Sequence, residues 1–285
     1  MKRKTAMWMM GLAMIVMAGG LTGCDAGVFQ GKQAPISQEK SFDGKDIQNI
    51  SIESHSIDVH LIPSDGDKIV ATVKGTLSEN AKDDDKAELL NASVNGSQLV
   101  IVSKIPTSFM DYKGGSIKLD VQVPKKMYEG IKVEEHSGDI EMDAFQAKKF
   151  TVDTSSGDVV VHGFQGDDFN LTAHSGNMTL DQMTGKGTIL THSGDVKVSM
   201  AEVKKDISIE THSGNTALYL PEASVFRLDS VTKSADSVKL NFPLSSQKKD
   251  GDDHVIAAAN NATDSAPLVK IDSSSGNLEL GKSSN

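Results

Sequence analysis

The chain is poor in the residues that build disulfides, aromatic platforms and basic faces. Its 285 residues include 1 cysteine and 1 tryptophan, and aromatic residues make up 5% of the total. The lone cysteine, Cys24, has no partner for a disulfide within the chain. Acidic residues outnumber basic ones, 39 to 29, and arginine occurs only as Arg3 and Arg227. Because nucleic-acid binders need a basic face for phosphates, the composition argues against a nucleic-acid partner.

The N-terminus has the pattern of a secretion signal. Basic residues at positions 2–4 precede an apolar run over residues 6–20. That run is short for a membrane span, which needs roughly 20 apolar residues, and is typical of a signal-peptide core. The sequence LTGC at 21–24 resembles the lipobox of bacterial lipoproteins, which implies cleavage before Cys24 and attachment of diacylglycerol to its sulfur. We therefore expect residues 1–23 to be a lipoprotein signal peptide.

Removal of this signal would leave a strongly acidic chain. The signal holds 3 of the 29 basic residues and none of the 39 acidic ones, so 26 basic and 39 acidic residues remain and the net charge is −13. Anionic lipid repels such a surface, so the acyl chain on Cys24 would hold the protein at the membrane. Residues 24–40 lack periodicity and are predicted to be a flexible tether. Residues 41–285 are predicted to form a single domain.

A repeat of about 19 residues organises this domain. Ala235 stands where a degenerate copy would fall, and the stretch after it leaves room for one more coil or for a loop. The opening residues 50–61 follow the same pattern around Ile57, which replaces glycine. The repeat is marked by a Ser-Gly pair whose glycines are separated by 19, 19, 18, 20 and then 62 residues: Gly138, Gly157, Gly176, Gly194, Gly214 and Gly276.

Apolar residues alternate on both sides of each glycine. Around Gly157 they are Phe150 and Val152 before it, and Val159 and Val161 after it. Each repeat is therefore predicted to form two short strands joined by a turn. A strand pair of this size cannot bury its own apolar face, whereas stacked copies can, at a spacing of about 4.8 Å. We predict an all-β fold, a parallel β-solenoid of 19- to 20-residue coils; the alternative is an antiparallel meander or sandwich.

The repeat frame breaks between residues 62 and 130. Residues 68–77, 92–102 and 116–123 have the alternation of β-strands, and Asn95-Gly96 is typical of a hairpin turn. The sequence therefore predicts an irregular N-terminal hairpin section ahead of the regular coils.

The histidine two positions before the glycine is the most reactive residue of the repeat. The residue before it is small and predicted to face inward, so alternation turns the histidine outward. Stacked coils would then align His174, His192 and His212 in a surface column with a spacing of about 5 Å. His136 belongs to the same column, with Ser155 between it and His174. The glycine lets the chain turn, and the Asp or Asn after it can stack as a polar ladder.

Several chemical roles for this column are open. Catalysis is disfavoured because adjacent His and Ser side chains point to opposite faces of a strand, whereas a triad needs converging groups. Exposed imidazoles beside the turn aspartates could capture Zn²⁺ or Cu²⁺, which makes His174, His192 and His212 candidate metal ligands, although a flat column splays its ligands. Protonated neighbours would repel one another, which predicts a pH response. A purely structural repeat is favoured, and no cofactor or catalytic residue is expected.

The opening segment and the repeats of the chain resemble a bacterial cell-envelope family of adhesin-like proteins and domains of unknown function. The segment ISIESHSIDVHLIPSDGDKIVATVKG (50–75) is similar to the family's opening, and the TxSGDV strands resemble its body. The resemblance covers residues 42–280. It implies an all-β, solenoid-like domain outside the membrane, lipid-anchored in some members and encoded near envelope-stress systems, especially in Gram-positive bacteria. The family brings no catalytic residues.

We therefore expect a non-catalytic, lipid-anchored protein on the extracytoplasmic face of a Gram-positive cell membrane, with a role in binding, adhesion or envelope-stress maintenance. Its expected partners are the membrane, through Cys24, and another envelope protein, a wall polymer or a host surface. One alternative is an enzyme acting on envelope glycans, against which the lack of mature tryptophan and the single mature Arg227 argue. The other is metal capture by the histidine column.

Overall fold

A computed structural model shows an all-β protein, as the sequence predicts. No helix occurs in the part of the chain that the structure describes, so no helix there is long and apolar enough to cross a membrane. Cys24 and the predicted signal peptide lie outside the described residues. These are residues 33–78, 89–105, 117–233, 238–249 and 254–283.

Each regular repeat forms two strands on either side of its turn, and successive coils pair in parallel with their repeats aligned. The predicted parallel solenoid is thereby confirmed, and the meander alternative is wrong for these coils. The strands before the turns are β2 (Asn49–His55), β8 (Met127–Ser137), β10 (Phe145–Ser156), β13 (Asp168–Ser175), β15 (Lys186–Ser193) and β17 (Ile207–Ser213). Those after the turns are β3 (Asp58–Ser64), β9 (Ile140–Met142), β11 (Val159–Val161), β14 (Met178–Met183), β16 (Val196–Met200) and β18 (Thr216–Leu220).

The alternating apolar side chains fill the interior between the strands. A third side closes each coil, where β12 (Phe164–Gln165) pairs with the start of β10. Phe145, Phe164 and Met183 stack there and are buried. Burying each such side chain contributes about 1.5–3 kcal/mol. Gly187 occupies an interior slot that other coils fill with an apolar residue, and a Cβ there would overlap the ring of Phe169.

The order of the coils in space differs from their order in the sequence at both ends. At the N-terminal end, β6 (Gln98–Lys104) and β7 (Ile117–Pro124) form a coil that stacks outside β2 and β3, although it follows them in the chain. At the C-terminal end, β23 (Leu268–Ser273) and β24 (Leu278–Lys282) stack directly on β17 and β18. The repeats of Gly214 and Gly276 are therefore neighbours.

The coil around Ala235 lies one position further out. Its strands are β19 (Phe226–Thr232) and β20 (Val238–Leu240), which pair with β23 and β24 rather than with β17 and β18. Ala235 itself lies outside the described residues. The degenerate repeat at Ala235 thus belongs to a coil of the solenoid. The coil of β23 and β24 lies between it and the coil of β17 and β18, which precedes it in the sequence.

Antiparallel strands flank both ends of the stack. At the N-terminal end β4 (Lys68–Ser78) pairs with β7, and β5 (Leu90–Asn95) pairs with β6 through the predicted Asn95-Gly96 hairpin. The irregular hairpin section is therefore confirmed. At the other end β22 (His254–Ala259) pairs with β19, and β21 (Leu244–Lys249) pairs with β22. Such strands cover the core of a terminal coil, which would otherwise lie open.

One boundary of the predicted tether is wrong. Strand β1 (Gln33–Asp43) pairs antiparallel with β4 along its whole length, so ordered structure begins inside the segment predicted to be flexible, residues 24–40. The edge of β4 supplies hydrogen-bond partners for a segment that has no apolar periodicity of its own. Apolar periodicity in a sequence reflects burial of one face of a strand. Residues 35–43 of β1 are alternately exposed and half-buried, so this strand has no buried face that the sequence pattern would show.

Candidate binding surface at the glycine turns

The repeated His-Ser-Gly-Asp/Asn segments meet along one edge of the solenoid, which we call the turn edge. Glycine shapes this edge in two ways. Its backbone adopts a positive φ, between 119° and 133°, at Gly157, Gly176, Gly194, Gly214 and Gly276. At each of these positions a Cβ would also overlap the carbonyl oxygen of the glycine in the adjoining coil. Only glycine permits both this turn and this close stacking.

The Asp or Asn after each glycine forms a continuous hydrogen-bonded ladder. In each step a side-chain Oδ1 accepts the backbone N–H of the equivalent residue in the adjoining coil, at 2.7–3.2 Å. The predicted polar ladder is therefore confirmed, and it satisfies backbone groups that the turn leaves without strand partners. Its members are Asp58, Asp139, Asp158, Asn177, Asp195, Asn215 and Asn277.

The histidines form the predicted surface column. The rings of His174 and His192 have centroids 4.9 Å apart and planes 4° apart, and those of His192 and His212 lie 5.1 Å and 19° apart. All three side chains are exposed. Further along the edge, His55 stacks on His136 at 6.2 Å. Sequence analysis did not assign His55 to the column, although its position two residues before Ile57 carried the signal.

The serines of the repeat do not follow the predicted alternation. Ser175, Ser193 and Ser213 are exposed beside the histidines rather than turned to the opposite face. They are the last residues of β13, β15 and β17, where the strand ends and the chain begins to turn. The turn edge therefore presents an imidazole row and a hydroxyl row side by side.

The ring stacking limits what the histidine column can hold in this arrangement. Neighbouring ring centroids lie 4.9 and 5.1 Å apart with planes within 19° of parallel, whereas zinc sits about 2 Å from each ligand nitrogen and needs ligands that converge on it. Among the described residues no group of three or more His, Asp or Glu is already placed to hold a metal ion. Metal binding by His174, His192 and His212 stays a prediction, and it requires the rings to rotate.

The charge beside the histidine column varies along the edge. The outward residues two positions before the column are acidic near the N-terminal coils, at Glu53, Glu134 and Asp153, the last of which precedes Ser155. They are uncharged beside His174 and His192, where they are Thr172 and Leu190, and acidic again at Glu210 beside His212. Adjacent like charges in register are unfavourable, and Lys132 offsets one of them through a 2.7 Å ion pair with Glu134. The middle of the edge is therefore the part least shielded by acidic side chains.

The comparisons with known proteins concern a family and a fold. The family model described as Toastrack DUF4097 matches residues 47–186 and 174–281, which confirms the resemblance seen in the opening segment and the TxSGDV strands. No protein with a curated description shows significant similarity to the chain.

Among solved structures, the chain is similar to a candidate cell adhesion protein from Clostridium sporogenes, at 12% identity and a TM-score of 0.42, over 87% of this chain and 100% of that one. A candidate adhesin from Bacteroides fragilis is 12% identical with a TM-score of 0.45, over 86% and 96%. A candidate lipid-binding protein from Parabacteroides distasonis is 10% identical with a TM-score of 0.33, over 87% and 95%. These likenesses are distant.

Proposed function

We propose that this chain, which belongs to the Toastrack DUF4097 family, is a non-catalytic binding protein anchored by lipid to the outer face of a bacterial cell membrane, where it holds a polymer of the cell wall. The turn edge carries this proposal. It presents imidazole and hydroxyl groups at a spacing of about 5 Å, as in the stack of His174, His192 and His212. A repetitive ligand could contact several coils at once, and such contacts add through avidity.

The arrangement of the edge favours binding over catalysis. A catalytic centre brings unlike groups to one point with distinct roles, for example a nucleophile, a base and an orienting acid. Here the histidines of successive coils occupy the same position of the repeat and stack nearly parallel, as His174 does on His192. The oxygens of the neighbouring ladder are engaged by the backbone, as where Asp195 Oδ1 accepts the Asn215 N–H at 2.7 Å. Equivalent copies support repeated weak contacts with a partner that is itself repetitive.

The anchor would place this surface close to the membrane. The LTGC sequence supports lipid attachment at Cys24, and strand β1 begins at Gln33. The linker between them, residues 25–32, is then eight residues long, and the chain from Cys24 to Gln33 spans about 30 Å at most. A domain held at that distance from the lipid can meet wall polymers and other envelope proteins. This location also suits a role in envelope maintenance under stress.

Two measurements test this proposal. The full-length protein and a Cys24→Ala variant would be expressed in a Gram-positive host, and we expect the wild type in the membrane fraction and the variant outside it. The wild type solubilised in detergent would then be mixed with purified cell-wall sacculi. We expect the protein to sediment with the walls and no wall fragments to enter the supernatant. Released fragments would support the enzyme alternative, and absence of sedimentation would overturn wall binding.

A further inference from the structure

A long groove lies on the third side of the coils, away from the turn edge. Its volume is about 810 Å³. Outward side chains next to the buried Phe145, Phe164 and Met183 line it, and small residues such as Ala144 and Gly163 form part of its floor. We call it the third-side groove. It crosses several coils, so at about 4.8 Å per coil it is roughly 15 Å long.

Uncharged amides project into this groove from successive coils. Gln146 and Gln165 are in register, and Gln146 Nε2 donates a hydrogen bond to Gln165 Oε1 at 2.9 Å. Both side chains are exposed. Gln182 lines the groove from the next coil and is also exposed, but it precedes Met183, the partner of Phe164, and is therefore out of register with the other two amides. An amide carries two donors and an acceptor with two lone pairs, so these amides retain both kinds of group for a ligand. Hydroxyl and acetamido groups of a ligand both donate and accept hydrogen bonds, so they can pair with these amides.

The charges around the groove are paired with one another. Lys205 Nζ lies 2.9 Å from Asp167 Oδ1, and this hydrogen bond lowers the pKa of Asp167, which keeps the carboxylate ionised. Lys204 pairs with Glu202 at 2.5 Å. The rim of the groove thus carries positive and negative side chains that neutralise each other in pairs. Its floor is formed by amides, small residues and aromatic edges. A ligand without net charge matches this distribution better than a polyanion does.

The backbone of β12, which crosses the groove, is already paired on both sides. Strand β12 has β10 on one side and β14 on the other, so no strand edge is open there. An extended peptide usually binds by adding a strand to a free edge. The third-side groove therefore lacks the feature that a peptide would use, and recognition must go through side chains.

From these observations we propose that the third-side groove binds a linear, uncharged glycan. The sugar hydroxyl and acetamido groups bond to Gln146, Gln165 and Gln182, and the apolar ring faces lie over the exposed Ala144. This inference rests on the proposed function, because it takes the wall polymer to be the ligand and names its glycan strand as the part that the groove binds. It adds a second binding surface, on the third side of the coils, to the turn edge.

The probe for this site is chitotetraose, a soluble uncharged oligosaccharide, titrated against the full-length protein in detergent by calorimetry. The double variant Gln146→Ala/Gln165→Ala removes the amide row, and we expect binding to weaken at least about tenfold, because two hydrogen bonds are lost. Ala144→Tyr fills the floor from an exposed position and should abolish binding. The matched control changes two exposed glutamines far from the groove, Gln122 and Gln247, to alanine and should leave the affinity unchanged.

The outcomes separate the groove from the general function. If the wild type does not bind chitotetraose, or if both groove variants bind it like the wild type, the groove inference is overturned. Sedimentation with sacculi tests the proposed function separately. If the wild type and the groove variants all sediment with the walls, the proposed function holds although the groove inference fails. Thermal unfolding of each variant would verify that the fold is intact.

Discussion

The buried carboxylate of Glu135 holds the backbone of Ser56, a residue 79 positions away in the sequence. Glu135 Oε1 accepts the N–H of Ser56 at 3.0 Å and also that of Ser137 at 3.0 Å. Ser56 has a φ of 62°, which a non-glycine residue adopts at a cost, and Ile57 stands after it where other coils have glycine. The Glu135 side chain from the next coil therefore stabilises a turn in which Ile57 replaces the usual glycine.

Replacement of Glu135 by alanine should destabilise the protein by about 2 kcal/mol, because two backbone N–H groups lose their acceptor. Glu135→Gln keeps an oxygen acceptor and should cost about half as much. Urea unfolding measures both changes. The control is Glu134→Ala on the outer face, which we expect to stay within about 0.5 kcal/mol of the wild type. Equal effects at positions 134 and 135 would contradict the bracing role.

The stacked glycines should tolerate no side chain. Gly194→Ala combines a φ of 133° with overlap onto the carbonyl oxygen of Gly176, so we expect a loss of about 3 kcal/mol or more. Gly96→Ala is the matched control, since its φ is 61° and its surroundings are open, and it should cost about 1 kcal/mol. Chemical denaturation of the two variants gives the comparison. Similar losses would show that backbone conformation alone, and not the close stacking, requires glycine.

The Asx ladder should depend on the oxygen and not on the charge. Asp195 Oδ1 accepts from Asn215 through the backbone N–H at 2.7 Å and through Nδ2 at 3.1 Å. Asp195→Asn keeps this acceptor, as Asn177 does in the adjoining coil, and should leave stability nearly unchanged. Asp195→Ala should cost about 1–2 kcal/mol and accelerate hydrogen exchange of the Asn215 amide. An unaltered exchange rate in the alanine variant would argue against the ladder.

Mild acid should weaken the histidine column. Protonation of adjacent rings places like charges about 5 Å apart, which costs about 1 kcal/mol per pair in a water-like dielectric. The contribution of the column to stability should therefore fall from pH 7.5 to pH 5.5, and a variant with His174, His192 and His212 changed to Gln should lose less stability than the wild type over the same range. Thermal melts at the two pH values measure this. His254→Gln is the control, because its ring lies 2.8 Å from Asp229 and outside the column. Identical pH dependence of the triple variant and wild type would refute the idea.

Local features of the candidate surface could be predicted from the sequence because each depends on offsets within one repeat. The distance of His192 from Gly194 decides that the ring faces outward, and a constant repeat length decides that rings of adjacent coils align. The exposure of Ser193 was not predicted, since alternation holds only while the strand continues. The third-side groove was also missed, because its floor depends on how residues of neighbouring coils, such as Ala144 and Gly163, meet.

The amino-acid sequence by itself determined the strand pairs, the glycine turns, the apolar interior and the acidic character of the chain. The tertiary structure alone decided the order of the coils. All coils expose the same hydrogen-bonding edges with the same phase of apolar residues, so Gly214 could be followed equally well by the repeat near Ala235 or by that of Gly276. One order of coils is selected because antiparallel strands, such as β22 beside β19, pair with the coil at each end of the stack. Such pairing joins residues far apart in the chain and leaves no periodic pattern in the sequence.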